Sequence, residues 1–546
     1  MRSLMPFASS VLAAALGFIA LNGGIASGGP ALNAGGGTVR ADEHREAVKG
    51  TGGSNDAKKE VLVIRDDADV RAVDADRPGN AADDAKYGAD GKDRGKDPDT
   101  AASPGFDRYP ARTYSFLFNN VLSNLMYRPT TPMLLLTVPV GTVPSSVSLE
   151  SGYSLLIRLS NYPINLLYDR IGVGWTSLIM AAKIVLLDFP FAYTMKVLNH
   201  EYSGHASRFH EAGQFVDRIT IGVPLPYGEG GGATAGTIPS RVDRGIMIDG
   251  AGSEANTVMA HQMSLRWVSD GYIYPFDILL YFNARFDQLL YINVASRGLP
   301  PFMADGDWEQ YIAAINRKYG SPYPFYRLKL GDLKRWSYIA LADPFLYMAT
   351  GALFYNFFTG KRSLETLMIP LGGKAGMMPS TRVSYTPNGP ECYVDFFFRL
   401  PDRSVLLVYA RGGARNLRET WGGGVRLARM DLGRFIELGG GLELFSQPAL
   451  SGRTDSDYYS NGLWNLYPLV NPAAYTDILN AMDIANGSLA RRRARLFGGA
   501  GFIELALKAN RLFRAHLRLG YKSDGYAMGL PLERGFFWHA GMGFTF

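Results

Sequence analysis

Cysteine and histidine are scarce in this chain. Of its 546 residues one is cysteine, Cys392, and seven are histidine. A single cysteine excludes an intrachain disulfide framework and any zinc cluster built from several thiolates. A block of basic residues is missing as well, because lysine and arginine are interspersed with nearly as many acids, and the formal net charge is +6. The composition therefore gives no support to a nucleic-acid partner.

Clean hydrophobic runs are also missing, although 47% of the residues are hydrophobic. The stretch from Val173 to His200 is long enough to cross a bilayer, but Lys183, Asp188 and Pro190 interrupt it. "YPFDILLYFNARFDQLLYINVA" and "YIALADPFLYMATGALFYNFF" are similarly apolar and dotted with Asp and Arg. Buried core helices and membrane-embedded helices both explain this pattern, and in a membrane such ionisable groups mark functional cavities. Residues 106–378 are therefore predicted to form a mainly helical, apolar domain.

The N-terminal region has two compositions. Arg2, the apolar stretch Val11 to Leu21 and a small-residue cleavage site near Ala26 predict a signal peptide over residues 1–27, with a short membrane anchor as the alternative. Residues 28–105 are rich in Gly, Ala, Asp and Lys and contain few large apolar residues. Such a segment cannot offset its ordering entropy, so it is predicted to be a disordered linker without chemistry.

The C-terminal third consists of short runs in which apolar and polar residues alternate, such as "SVLLVYARG" and "GFFWHAGMGFTF". This period of two predicts an antiparallel β-domain over residues 379–546. The last run, which ends in Phe546, resembles the closing strand of bacterial outer-membrane β-barrels. About eight strands, the smallest number that closes a membrane barrel, are predicted, with a soluble β-sandwich or an antiparallel sheet as the alternative. The predicted fold class is α+β, with the helical domain first.

The stretch "LNHEYSGHASRFHEAGQ" holds three of the seven histidines. In the H-E-x-x-H motif the histidines lie on one helix face, bind one zinc ion and leave the Glu to act as base. His200 and His205 are five residues apart, which on a regular helix separates them by roughly 140°. A one-residue π-bulge, which Gly204 would tolerate, would bring them together again. A polar helix rim that carries several histidines would show the same sequence.

Several sequence elements follow the histidine motif in a fixed order. A glycine ends the helix, a strand with a glycine-rich turn follows, and a G-x-x-x-N element precedes an Asn/Pro-rich run that ends in Asp-Gly. This order resembles the site-2 protease family of intramembrane zinc metalloproteases, over roughly Val173 to Tyr311. The matching positions are His200, Glu201, His205, Ala206, Gly213, Gly252, Asn256, Asn293, Pro300, Pro301, Asp305 and Gly306.

The resemblance implies a zinc ion bound by His200, His205 and Asp305, with Glu201 as general base and Asn256 holding an extended substrate. Two spacings depart from the family. The step between the histidines is one residue longer, and the gap from Asn293 to Asp305 is also longer than in the family. Glu254 is a second candidate for the third ligand, because it follows the motif at a distance that zincins allow. It is equally explained as a first-turn carboxylate favoured by the helix dipole.

These features predict a zinc-dependent, membrane-associated peptidase whose partners are a protein or peptide substrate and membrane lipid. Spanning helices belong to the inner membrane and a barrel to the outer one, so the two halves point to different membranes of a Gram-negative cell envelope, with the outer one favoured. The alternative function is a non-catalytic outer-membrane β-barrel, an anchor or a small pore, whose histidines are structural.

Overall fold

The computed structural model describes residues 61–64, 134–138, 141–222, 231–236, 241–295, 306–319, 328–359, 363–413, 419–450, 495–509 and 513–544. The predicted signal peptide, Pro300, Pro301 and Asp305 lie outside the described residues. Within the segment predicted to be a linker, Val61–Ile64 forms strand β1, which pairs with a strand that follows the histidine motif.

Helices make up most of the central region. They are α1 (Thr142–Lys183), α2 (Phe189–Leu198), α3 (Ser207–Glu211), α4 (Val242–Asp270), α5 (Ile278–Ala295), α6 (Asp307–Tyr319), α7 (Leu330–Ser337) and α8 (Pro344–Thr359). Two π-helical segments connect α1, α2 and α3: the first π-segment is Ile184–Asp188 and the second is Asn199–Ala206. Helix α1 is kinked at Gly172, so the continuous helix that carries the motif runs from Gly174 to Glu211. One helix in the described part of the chain, Gly174–Glu211, is long and apolar enough to cross a membrane.

The remaining strands are β2 (Leu134–Val138), β3 (Val216–Gly222), β4 (Gly232–Gly236), β5 (Tyr272–Ile273), β6 (Leu364–Glu365), β7 (Ile369–Gly372), β8 (Ala375–Thr386), β9 (Gly389–Arg399), β10 (Val405–Gly413), β11 (Thr420–Leu432), β12 (Ile436–Pro448), β13 (Arg495–Lys508), β14 (Phe513–Lys522) and β15 (Gly535–Phe544). A small sheet has the order β1-β3-β4, and β5 pairs with β6. The large sheet has ten strands in the order β2-β15-β14-β13-β12-β11-β10-β9-β8-β7.

The large sheet confirms the antiparallel C-terminal region but not its closure. Strands β7 to β15 pair with their sequence neighbours, and β2 adds to the edge at β15. Among the described residues, β2 and β7 end the sheet without pairing with each other. The described sheet is thus open, whereas a closed barrel of about eight strands was predicted.

The core lies around α4, which is buried along nearly its whole length. This helix contacts α1, α5, α6, the second π-segment and β8. Its C-terminal half packs through Trp267 against Tyr281 and Phe345, where the helices meet the sheet. A second cluster contains Trp308 and Tyr385 and holds the start of α6 against β8. Helix α4 therefore supports the histidine motif from one side and the sheet from the other.

Candidate metal centre

The histidine motif lies on the second π-segment. His200, Glu201 and His205 are all buried there. Because a π-helix closes its hydrogen bonds from residue i to i+5, a step of five residues returns to the same face. The two imidazole rings are accordingly neighbours, with centroids 5.0 Å apart. The predicted π-bulge is confirmed.

Two glycines make room for this arrangement where the π-segment crosses α4. A Cβ on Gly204 would lie 2.6 Å from the Cα of Gly252, so the two backbones approach as closely as only glycine permits. A Cβ on Gly252 would lie 2.2 Å from the Nε2 atom of His200. Helix α4 therefore passes directly beside the imidazole of His200, and any side chain at Gly252 would displace that ring.

Both imidazoles are held through their Nδ1 atoms. His205 donates its Nδ1–H to the carbonyl oxygen of Ile248 at 2.7 Å, because a carbonyl can only accept. His200 places Nδ1 3.3 Å from Oδ2 of Asp287, which also accepts from Ser253, while Lys196 donates to Oδ1 of the same carboxylate. Partners of this kind fix the tautomer of metal-binding histidines. The Nε2 atom of each ring is therefore the one left to bind a metal ion.

The charge of Asp287 fits this role. Burial acts to raise the pKa of its carboxyl, but the ammonium of Lys196 and the imidazole of His200 outweigh burial and hold that pKa well below its usual range. The carboxylate is therefore ionised at neutral pH. It lies in an apolar helix, where an ionised group is retained only with partners of this quality.

The Nε2 atoms of both histidines face the carboxylate of Asp307, the first residue of α6. Its Oδ2 atom lies 3.1 Å from Nε2 of His200 and 3.4 Å from Nε2 of His205. Two ligand atoms at about 2.0–2.1 Å from a tetrahedral zinc ion are separated by about 3.3 Å. The donor set and its spacing therefore fit a zinc ion. Burial acts to raise the pKa of the Asp307 carboxyl, but the imidazoles of His205 and His200 outweigh burial and hold that pKa well below its usual range.

Asp307 follows the predicted ligand Asp305 by two residues, and the resemblance did not single it out. The residue after it, Trp308, is buried against Tyr291, Tyr311 and Tyr385, which fixes the first turn of α6. A sequence signal was present, since "DGDW" places a second carboxylate just after a glycine and before an anchoring aromatic residue. An acid in a first helical turn is also favoured by the helix dipole.

Glu201 occupies a different position from the ligands. The hydroxyl of Thr234 on β4 donates to its Oε2 at 2.8 Å. A Cβ on Gly232 would lie 2.4 Å from Cγ of Glu201, so β4 passes directly over this side chain. Its carboxylate still lies within 4.8 Å of ligand atoms of both histidines. Glu201 could thus join the histidines as a ligand, but one of its oxygens is held by Thr234, and Asp307 contacts both Nε2 atoms. This arrangement leaves Glu201 beside the metal position, as a general base requires.

Glu254 is engaged elsewhere. Its Oε2 accepts from Nε and Nη2 of Arg208 at 3.1 and 2.6 Å, and its Oε1 accepts from the hydroxyl of Tyr526 at 3.0 Å and the amide of Gly529 at 2.8 Å. These four hydrogen bonds use both oxygens. The structure thus places the alternative third ligand in a network that ties the helix after the motif to the loop before β15.

Asn256 is fully buried and its Oδ1 accepts from the side chain of Asn199 at 2.9 Å. Its Nδ2 has no hydrogen-bond partner in the described part of the chain. His261 follows Glu254 by seven residues on α4. Its Nδ1 atom lies 3.7 Å from Oδ2 of Asp395, and its ring packs beside Phe397. Neither side chain reaches the two histidines through the contacts described.

No family model, curated protein or solved structure matches the chain. What the described residues share with site-2 proteases is a cluster of two histidines and a glutamate on one apolar helix.

Proposed function

We propose that this chain is a zinc-dependent, membrane-associated peptidase that hydrolyses peptide bonds of a protein or peptide substrate. The observation that carries the proposal is the convergence of His200 Nε2, His205 Nε2 and Asp307 Oδ2, with both Nδ1 atoms bonded away from the site. Three protein ligands with an open fourth position are typical of catalytic rather than structural zinc sites.

Each residue has a separate task in this proposal. Bound zinc would polarise the substrate carbonyl and lower the pKa of a water molecule to about 7. Glu201 takes a proton from the attacking water and passes it to the leaving amine nitrogen, while Thr234 keeps its carboxylate oriented. Asp287 stabilises the His200 ring, and Ile248 holds the His205 ring through its carbonyl oxygen.

The helix that carries the motif supports association with a membrane. Besides its length and apolar composition, Trp175, Leu186 and Leu187 on it are more than half exposed. Exposed large apolar side chains on such a helix are typical of a surface that contacts lipid or another protein rather than water. We place the protein in the cell envelope, in the outer membrane by preference because of the C-terminal sheet.

Glu201→Gln gives the deciding test in full-length, detergent-purified protein. We expect stoichiometric zinc in the wild type and in this variant, and a loss of about 10²–10⁴-fold in cleavage of an unfolded protein substrate, because the base is gone. Glu365→Gln, which changes an exposed carboxylate on β6, is the matched control and should cleave normally. Wild-type protein without zinc, or equal cleavage by Glu201→Gln, would refute the proposal.

A non-catalytic outer-membrane protein is the second candidate, because the large sheet presents an apolar face to the outside. In that case Glu201→Gln would leave every phenotype of the wild type intact. The wild-type protein would then fractionate with the outer membrane and show no peptidase activity.

A further inference from the structure

The two faces of the C-terminal strands differ in chemistry. Along β13, Phe497, Ile503 and Leu505 point to one face, and the first two are 69% and 64% exposed. Glu504 and Lys508 point to the opposite face and form ion pairs there. Because side chains alternate along a strand, the pattern assigns one face to apolar and the other to charged residues.

The strand register extends this apolar face over four strands, β12 to β15, and Val425, opposite Leu442, continues it onto β11. In one row Gly440 lies opposite Ile503, which lies opposite Leu519, which lies opposite Trp538. The next row contains Leu438, Leu505, Leu517 and Ala540, and the one after it Ile436, Leu507, Ala515 and Met542. The charged side chains of the same strands pair on the other face, among them Glu437, Glu504, Arg514 and Arg518.

Aromatic residues stand at both ends of the apolar face. At one end Trp421 lies near Phe497, with ring centroids 6.4 Å apart, and Tyr521 lies near Phe536, at 5.0 Å. At the other end Phe513 packs against Phe544, at 5.5 Å. The rows between these ends are aliphatic, except for Trp538. Aromatic residues at both borders of an aliphatic band are typical of strands that contact a bilayer.

The dimensions agree with a bilayer. From Phe497, at one aromatic border, to Leu507, one row before Phe513 and Phe544 at the other border, β13 spans about 33 Å at 3.3 Å per residue. With a tilt of about 40° this corresponds to a height of about 25 Å, the height of the apolar band on outer-membrane strands. A protein partner would not need aromatic residues at two borders separated by this distance.

We propose that the outer face of β11 to β15 contacts the hydrocarbon chains of a lipid bilayer, with the two aromatic groups at the headgroup levels. The proposal specifies the membrane association in the proposed function and is independent of its metal chemistry. Water is a poor solvent for so large an apolar surface, and the charged side chains of β12 to β14 pair on the opposite face.

Spin labels at single cysteines test the proposal in the full-length protein, with Cys392→Ser as the background. The protein is reconstituted into vesicles of phosphatidylethanolamine and phosphatidylglycerol. Labels at Ile503→Cys and, on the neighbouring strand, Leu517→Cys should be relaxed several-fold more by oxygen, which dissolves in lipid, than by a water-soluble nickel chelate. Ala506→Cys, on the opposite face of β13, is the matched control and should show a much lower ratio of oxygen to nickel relaxation.

Two results would overturn the proposal. Free access of the nickel chelate to Ile503→Cys and Leu517→Cys would show that the face is in water. Exclusion of both relaxing agents would show that protein covers it, such as a second copy of the chain. Zinc content is measured in the same samples, so a failure of lipid contact and a failure of the metal site are distinguished.

Discussion

The two π-helical segments have the same geometry but different chemistry. Around Ile184–Asp188, the ammonium of Lys183 and the carboxylate of Asp188 are five residues apart and pair with each other in the buried interior. In Asn199–Ala206, two imidazoles are brought together by the same step of five. In the first segment the two side chains are each other's partners, whereas in the second both Nε2 atoms are directed at a third residue, Asp307. A π-turn thus aligns side chains, and the residue types decide whether the result is a structural pair or a binding site.

The largest effect that we expect is the loss of bound zinc when the histidines of the second π-segment are replaced. We expect His200→Ala with His205→Ala to remove bound zinc completely, because a single remaining carboxylate cannot retain it. Lys183→Met with Asp188→Leu is the control at the other segment and should keep stoichiometric zinc, since a buried ion pair can be replaced by apolar residues of similar size at little cost. Metal content per chain after dialysis checks both. Zinc that persists in the histidine variant would contradict the assigned site.

Deleting Ser203 tests whether the wide turn itself matters. The deletion restores the H-E-x-x-H spacing but rotates every residue after it by about 100°. Arg208 would then leave its buried partner Glu254, and breaking a buried pair costs about 3–5 kcal/mol. We expect a lower free energy of unfolding, measured by denaturant titration, without a gain in zinc affinity. A deletion variant that is as stable as the wild type and binds zinc more tightly would show that the π-segment is dispensable.

The local part of the site could be predicted from the sequence, and the distant part could not. A step of five between His200 and His205, with a glycine beside the second, was sufficient to predict the π-bulge. The third ligand depends on where α6 begins, and two carboxylates that flank Gly306 cannot be ranked by pattern alone. The sequence also offers Glu254 as a zinc ligand, because its partners Tyr526 and Gly529 come from a loop more than 270 residues further along the chain.

For the large sheet, too, the local features could be predicted from the sequence and the distant pairings could not. A period of two was sufficient to predict the C-terminal strands, because one face of each is apolar. Closure depends on how the two edges meet, and one edge is β2, whose partner β15 follows it by about 400 residues. Pairings of this kind leave no local signal, so the number of strands in a sheet and its open edges are set by tertiary structure.

A smaller effect is expected from the helix that supports the motif. Gly252→Ala places a Cβ 2.2 Å from the position of His200 Nε2, so the ring must turn away from Asp307. We expect zinc affinity to fall while the fold is retained, as measured by competition with a chelating dye and by circular dichroism. Gly331→Ala is the control, because a Cβ there meets nothing within 4 Å. Unchanged affinity in Gly252→Ala would mean that His200 does not bind metal through Nε2.

The smallest effect concerns the residue behind the ligand. Asp287→Asn keeps an oxygen that can accept from Nδ1 of His200, so the ring keeps its tautomer, but the negative charge that makes the imidazole a stronger donor is lost. Replacing such a partner typically lowers metal affinity by about 10–100-fold. Asp343→Asn, which alters a buried carboxylate bonded to Arg285 away from the histidines, is the control and should leave zinc affinity unchanged even if stability falls. Equal losses of affinity in both variants would mean that Asp287 acts through the general stability of the helices. A loss confined to Asp287→Asn would show that the second π-segment, unlike the Lys183–Asp188 pair of the first, depends on a charge from another helix.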